Sequence, residues 1–147
     1  MREPDASASR DLLFVYGTLR RGFRNPVARR LHRTAEWLGP ARAGGGRLVD
    51  LGSYPGFVPV ADRFSRVAGD LFRLPAEPDL LPLLDRYEGC SAVPGEPSEY
   101  RRELRAVRNS GCVRRAWIYV FHGPVAGLPF VPIGDYLAYV RRRAGGA

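Results

Sequence analysis

Lysine is missing from this chain of 147 residues, because every one of its 23 lysine or arginine positions is an arginine. A chain without lysine cannot form a Schiff base with a carbonyl substrate or anchor pyridoxal phosphate. It also cannot supply the lysine of a phosphate-binding loop. The absence therefore excludes three widespread kinds of catalytic or nucleotide-binding site.

Cysteines and long apolar runs are also scarce. Cys90 and Cys112 are too few for a disulfide framework and lack the spaced partners of a zinc site, so we expect two reduced thiols and no metal. The first ten residues are polar and lack the apolar segment of a secretory signal, and no later stretch is long enough to span a bilayer. We therefore expect a cytoplasmic protein without membrane contact.

The net charge of +8 comes with arginine clusters in three segments, Arg20–Arg33, Arg101–Arg108 and Arg141–Arg143. Such clusters attract anionic substrates or polyanions. Arginine, alanine, glycine and proline are also the residues that GC-rich codons encode. We attribute part of the basicity to genomic composition and expect no nucleic-acid partner.

Length and composition predict one globular unit. A chain of 147 residues with 45% hydrophobic content can form one domain with a real core and is too short for two. We predict a disordered leader at residues 1–11, a single domain at 12–143 and a flexible tail at 144–147. Strand-like segments surround one or two predicted helices without regular alternation, which favours an α+β, barrel-like domain.

The first strand ends abruptly at a glycine. Leu12–Tyr16 is apolar and strand-favouring, and Gly17 follows directly. After such a strand end, the N–H groups of Gly17, Thr18 and Leu19 lack ladder partners and can converge on an anion such as a carboxylate. Thr18 could add its hydroxyl. An ordinary strand-to-loop turn has the same pattern, so both readings are open at this point.

A short helix is predicted from Asp79 to Gly89, with four leucines and Tyr87 along one apolar face. By helical angle Glu88 lies within that face, whereas Asp85 and Arg86 point away from it. Apolar surroundings and the negative end of the helix dipole both disfavour a charged carboxylate, so they raise its pKa toward values useful in proton transfer. If the last turn frays instead, Glu88 reaches water.

The remaining elements follow from caps and turns. His32 lies alone on a helix, where a surface or packing role is favoured over a catalytic one. Asp70 interrupts a strand, where a solvent-facing or hydrogen-bonded structural role is favoured over a role in a pocket. The predicted elements are a helix capped by Asn25 and running to about Arg33, extended segments at Ala35–Leu38, Arg47–Leu51, Phe57–Val60 and Val67–Leu74, a hairpin of Tyr100–Arg108 and Val113–His122 around Asn109-Ser110-Gly111, and a closing helix at Gly134–Arg143.

Six short motifs follow one another along the chain. They are Tyr16-Gly17-Thr18-Leu19-Arg20, Tyr54-Pro55-Gly56, Val67-Ala68-Gly69-Asp70, Leu84-Asp85-Arg86-Tyr87-Glu88-Gly89, Tyr100-Arg101-Arg102 and Ala116-Trp117-Ile118-Tyr119. In this order they resemble the gamma-glutamylcyclotransferase-like superfamily, above all its small bacterial members and its gamma-glutamylamine and butirosin-deblocking branches. The likeness covers about Leu12 to Val140, and the Tyr-Gly-Thr-Leu and Glu-Gly motifs are its most specific parts.

The resemblance implies a small mixed β-barrel with short helices packed on it, and a pocket at its mouth. It implies catalysis without a cofactor, in which Glu88 acts as acid and base while a gamma-glutamyl amide cyclises to 5-oxoproline and releases an amine. The expected substrate-binding residues are Tyr16, Gly17, Thr18, Leu19, Tyr54 and Tyr100, with core packing as the alternative role of each tyrosine. We expect a monomer or a small homo-oligomer. A non-catalytic small-molecule binding module with the same pocket is the alternative function.

The segment Cys90–Ser98 varies within this superfamily, so the resemblance does not define the leaving amine.

Overall fold

The computed structural model describes residues 11–62, 64–90 and 99–145. The predicted leader up to residue 10, most of the variable segment (91–98) and the last two tail residues lie outside this range. The described strands are β1 (Leu12–Val15), β2 (Glu36–Gly44), β3 (Gly46–Asp50), β4 (Pro55–Pro59), β5 (Arg66–Arg73), β6 (Tyr100–Asn109) and β7 (Cys112–Phe121). The helices are α1 (Pro26–Thr34), α2 (Leu80–Tyr87) and α3 (Tyr136–Gly145), and a 3₁₀ turn at Pro132–Gly134 precedes α3.

Five of the strands close into a barrel in the order β1-β5-β2-β6-β7. Neighbours within that order are antiparallel, and a parallel pair between β1 and β7, with Leu13 opposite Trp117, closes the ring. The β3–β4 hairpin joins the barrel through a parallel pair in which Phe57 lies opposite Val120. The fold is thus the predicted small mixed β-barrel with short helices packed on it.

Strand β1 lies between two apolar cores, which explains why all four of its residues are buried. Leu12 and Phe14 belong to the core inside the barrel, whereas Leu13 and Val15 pack with the buried residues of α1 and α2. The neighbouring strand β5 can approach β1 closely because Gly69 has no side chain. A Cβ atom at this position would collide with the Val15 carbonyl oxygen and the Phe14 ring. Because both faces of β1 are buried, the turn that follows this strand is attached to a firmly packed element.

Several local predictions are confirmed. The Asn25 side chain accepts a hydrogen bond of 2.8 Å from the Ala28 N–H and so caps α1. Ser110 and Gly111 both have positive φ, as a two-residue hairpin turn between β6 and β7 requires. His32 has a packing role, because its ring stacks on Phe72.

Other boundaries differ from the prediction. Strand β2 continues to Gly44, well past the expected end at Leu38, because its pairing with β5 resumes at Gly39 after a bulge at Trp37–Gly39. Asp79 precedes α2 but makes no side-chain cap bond. Helix α3 begins at Tyr136 and extends through Gly145. Within the described part of the chain, every helix is too short or too polar to cross a bilayer.

Candidate active site

A cavity of about 530 Å³ opens where β1 ends, beside the end of α2 and the start of β6. Its volume lies within the range of roughly 300–1,000 Å³ that is typical of small-molecule sites. The residues that line it include all seven that were singled out from the sequence: Tyr16, Gly17, Thr18, Leu19, Tyr54, Glu88 and Tyr100. The structure therefore brings these residues together at one place.

The turn at Gly17–Leu19 is held through its carbonyl groups. The Gly17 carbonyl accepts a hydrogen bond of 3.0 Å from the Arg20 N–H. The Thr18 carbonyl accepts one of 2.8 Å from the Asn25 amide, and the Leu19 carbonyl accepts one of 2.8 Å from the His32 ring. The three N–H groups of the turn have no protein acceptor among the described residues. The turn thus keeps its donors available beside the cavity.

A buried ion network fixes the chain just after this turn. The Arg20 guanidinium contacts Asp70 at 3.4 Å and Asp135 at 3.1 Å, and both Arg20 and Asp70 are buried. The Arg21 N–H and the Trp37 indole also donate to the Asp70 carboxylate, at 3.0 and 3.3 Å. The carboxylate at mid-strand therefore has the hydrogen-bonded structural role that was favoured for it.

Hydrogen bonds orient the tyrosines at the cavity wall. The Tyr16 hydroxyl donates to the Tyr119 carbonyl at 2.6 Å and accepts from the Phe57 N–H at 3.1 Å. The Tyr100 hydroxyl donates to the Pro55 carbonyl at 2.8 Å. Tyr16 and Tyr100 are buried, so they pack in the core and line the cavity at the same time, whereas Tyr54 is exposed at the rim.

Glu88 lies directly after the last residue of α2, where its N–H still donates to the Leu84 carbonyl at 3.0 Å. The helix end does not fray, and the side chain is partly buried in the cavity wall. Burial, and to a smaller extent the neighbouring Asp85 carboxylate, raise the pKa of Glu88 to about 7. The direction of this shift agrees with the sequence analysis.

The surroundings of Asp85 differ from the prediction, in which its side chain points away from the packed face of α2. Its carboxylate accepts from the Tyr119 hydroxyl at 2.6 Å and from Arg102 at 2.9 and 3.2 Å. The helical angle gives only a direction from the helix axis, and strands β6 and β7 supply two polar partners in that direction. The partly buried ion pair of Asp85 and Arg102 holds a negative charge one helical turn from Glu88.

The turn and the helix are joined directly. The hydroxyls of Thr18 and Tyr87 lie 2.7 Å apart, and Tyr87 is the residue before Glu88. Tyr87 was predicted on the apolar face of the helix, but it lies at the rim of the cavity, with 37% of its surface exposed. The chain order does not indicate this contact, because 69 residues separate its partners.

Four side chains that line the cavity have raised pKa values: Glu88, Tyr16, Tyr100 and Tyr119. Burial, reinforced by the negative charge of Glu88, raises the pKa of Tyr16 and Tyr100, and it also raises that of Tyr119. These three hydroxyls therefore stay protonated at neutral pH, while Glu88 exchanges its proton there. Among residues 11–62, 64–90 and 99–145, histidine, cysteine and carboxylate side chains form no cluster that could hold a metal.

Comparisons with known proteins match this chain to one family model and to several relatives. A family model described as "Gamma-glutamyl cyclotransferase, AIG2-like" matches residues 13–138. The gamma-glutamylcyclotransferase family protein YtfP of Escherichia coli K12 is 32% identical over 125 residues, which cover 85% of this chain and 95% of YtfP. The solution structure of E. coli YtfP superposes with a TM-score of 0.60 at 30% identity, over 86% of this chain and 96% of YtfP.

Two further solved structures show the same fold. The crystal structure of an AIG2-like protein from Mus musculus has a TM-score of 0.67 at 24% identity and covers 86% of this chain and 87% of the mouse protein. YkqA from Bacillus subtilis has a TM-score of 0.68 at 20% identity over 93% of this chain. This chain spans only 43% of YkqA, less than half of that protein's length.

Proposed function

This chain belongs to the gamma-glutamyl cyclotransferase, AIG2-like family, and on that premise we propose that it converts a gamma-glutamyl amide into 5-oxoproline and a free amine. In this proposal Glu88 is the general base and general acid. The observation that carries it is the hydroxyl contact between Thr18 and Tyr87, which places Glu88 and the turn Gly17–Leu19 at one cavity.

The substrate brings its own nucleophile. The α-amine nitrogen of the glutamyl group attacks the γ-carbonyl carbon, a C–N bond closes a five-membered ring, and the original amide C–N bond breaks. An attacking group held in the correct geometry reacts as if present at an effective concentration on the order of 10⁵ M or more. The enzyme then needs no nucleophile of its own, which suits a chain without lysine or a serine-hydrolase motif.

Glu88 carries the proton in both directions. As a carboxylate it accepts a proton from the attacking amine, and once protonated it donates that proton to the departing nitrogen, so the proton count balances. A pKa of about 7 makes both forms accessible near neutral pH. General acid–base catalysis of this kind contributes roughly 10²- to 10⁴-fold to the rate.

The turn Gly17–Leu19 binds the other end of the glutamyl group in this proposal. Its N–H groups, which have no acceptor in the described protein, suit the α-carboxylate of the substrate. The hydrogen-bonded rings of Tyr16 and Tyr100 form the adjoining wall, with Tyr54 at the rim. Holding the carboxylate while the chain folds back brings the amine onto the carbonyl.

A panel of gamma-glutamyl amines and peptides tests the proposal, with 5-oxoproline as the measured product. We expect 5-oxoproline and the free amine in equal amounts from at least one member. The same amide with an acetylated α-amine is the matched control, because it keeps the scissile bond but lacks the nucleophile. Release of glutamate instead of 5-oxoproline indicates a hydrolase, and saturable binding without product indicates the non-catalytic binding module. Either result would contradict the proposal.

A further inference from the structure

A second cavity lies on the outer face of the barrel, across β5, β2, β6 and β7, with a volume of about 660 Å³. The strand register places its side chains in two rows. In one row Arg42 and Arg108 lie directly opposite each other on β2 and β6. In the next row Arg66 pairs with Gly44, and Ala106 pairs with Arg115.

Four arginines therefore surround a floor of two small residues. Continuing the β2–β6 register by two residues from the pair Arg42 and Arg108 sets Gly44 beside Ala106. The pair Arg42 and Arg108 lies on one side of this floor. Arg66 and Arg115 lie at its two ends. All of these positions are exposed, whereas the alternate residues of the same strands, such as Ala43 and Val107, are buried in the barrel.

The glycine in the floor is not demanded by packing. A Cβ atom at Gly44 would meet nothing within 4 Å, and the residue has no positive φ. A side chain is therefore sterically possible there, and its absence leaves open space between the guanidinium groups. At the edge of the floor, the Arg115 side chain is held by a hydrogen bond of 3.5 Å to the Leu104 carbonyl.

The charges of these four arginines are not neutralised within the described protein. A fifth arginine of the cavity lining, Arg105, pairs with Glu103 at 3.5 Å. In contrast, no described carboxylate lies within 4 Å of the guanidinium nitrogens of the four arginines around the floor. Like charges directly opposite each other on paired strands are destabilising. An anion bound between them would relieve that repulsion.

We propose that this concavity binds a compact, multiply charged anion through phosphate groups. The planar guanidinium group matches phosphate oxygens in two-pronged hydrogen bonds, and four of them converge on one small floor. The described lining contains no aromatic side chain on which a nucleobase could stack, so recognition rests on the phosphates. The eight-residue step along β6 from Tyr100 to Arg108 is roughly 26 Å, so this site is separate from the Glu88 cavity.

Calorimetric titration of the full chain with inorganic tripolyphosphate at low salt tests the proposal. We expect saturable binding that Arg42→Gln and Arg108→Gln each weaken at least tenfold. Gly44→Leu should weaken it to a similar degree, because it fills the floor without changing the charge. Arg142→Gln, on the exposed face of α3, makes the same change of net charge elsewhere and should alter the affinity by less than twofold. Thermal unfolding of each variant verifies that it is folded.

Three comparisons decide the outcome and the source of the phosphate. Similar affinities for tripolyphosphate and ATP would support recognition of the phosphate chain alone, whereas binding of ATP without tripolyphosphate would overturn it. Duplex DNA that binds more tightly than tripolyphosphate and is insensitive to Gly44→Leu would identify a nucleic-acid surface instead. Equal losses in Arg142→Gln and Arg108→Gln would show nonspecific attraction by net charge, and would also overturn the proposal.

Discussion

Replacing Glu88 by glutamine should make the protein more stable at alkaline pH, even though it removes the proposed catalytic group. In the wild type, burial and the Asp85 carboxylate raise the pKa of Glu88 from an ordinary 4.5 to about 7. Between these two pH values the folded state therefore binds more protons than the unfolded state. The stability that this group contributes is fully present below pH 4.5 and is lost as the pH rises through 7.

The difference between 4.5 and about 7 corresponds to at most about 3 kcal/mol of unfolding free energy. Glu88 keeps partial contact with solvent, so we expect the measured effect to be on the order of 1 to 3 kcal/mol. Glutamine keeps the size and polarity of the side chain but cannot ionise. The stability of Glu88→Gln relative to the wild type should therefore increase by this amount from pH 4.5 to pH 9.

Urea unfolding followed by tryptophan fluorescence at several pH values measures this difference directly. Subtracting the two curves removes the contributions of groups that titrate alike in both proteins. Glu99→Gln, at an exposed position on the rim of the same cavity, controls for the change in net charge. A difference between Glu88→Gln and the wild type that stays constant over the whole pH range would refute the burial of this carboxyl group.

Three further predictions concern the neighbours of Glu88. Asp85→Asn removes the adjacent negative charge, so the acid limb of the pH profile of kcat/KM should move from about pH 7 to lower pH, and an unchanged limb would contradict this coupling. Tyr16→Phe leaves a buried carbonyl and a buried N–H without their partner and should cost about 1 to 3 kcal/mol of unfolding free energy, measured by urea unfolding. Thr18→Val and Tyr87→Phe break the same hydroxyl contact, so each should raise KM several-fold and the double variant should be no worse than the single ones; additive losses would argue against a shared contact.

Much of the fold could be predicted because the signals for helix caps, turns and buried strands in the sequence agree with the elements of the structure. The Asn25 cap, the Ser110-Gly111 turn and the apolar first strand each depend on residues close in sequence. The same is true of the raised pKa of Glu88, whose position on the apolar face of its helix follows from helical angle alone. The order of the six motifs then connected these pieces through the family resemblance.

The rest depended on contacts between distant residues. Closure of the barrel by a parallel pair of β1 and β7 brings Tyr119 to the cavity, although the sequence analysis did not name it as a site residue. The partners of Asp85 come from two strands that follow it in the chain, so a helical wheel could not place them. Strand β2 likewise continues past Leu38 because it pairs with β5, whose residues lie far from it in the sequence.

The role of Glu88 in proton transfer is decided by the rate of 5-oxoproline release by the wild type and by Glu88→Gln, on the same gamma-glutamyl amide and at the same pH. We expect a loss of roughly 10²- to 10⁴-fold in kcat for Glu88→Gln, with the cavity and the fold intact. Release by Glu88→Gln within a few-fold of the wild-type rate would contradict the assignment of Glu88 as the group that carries the proton.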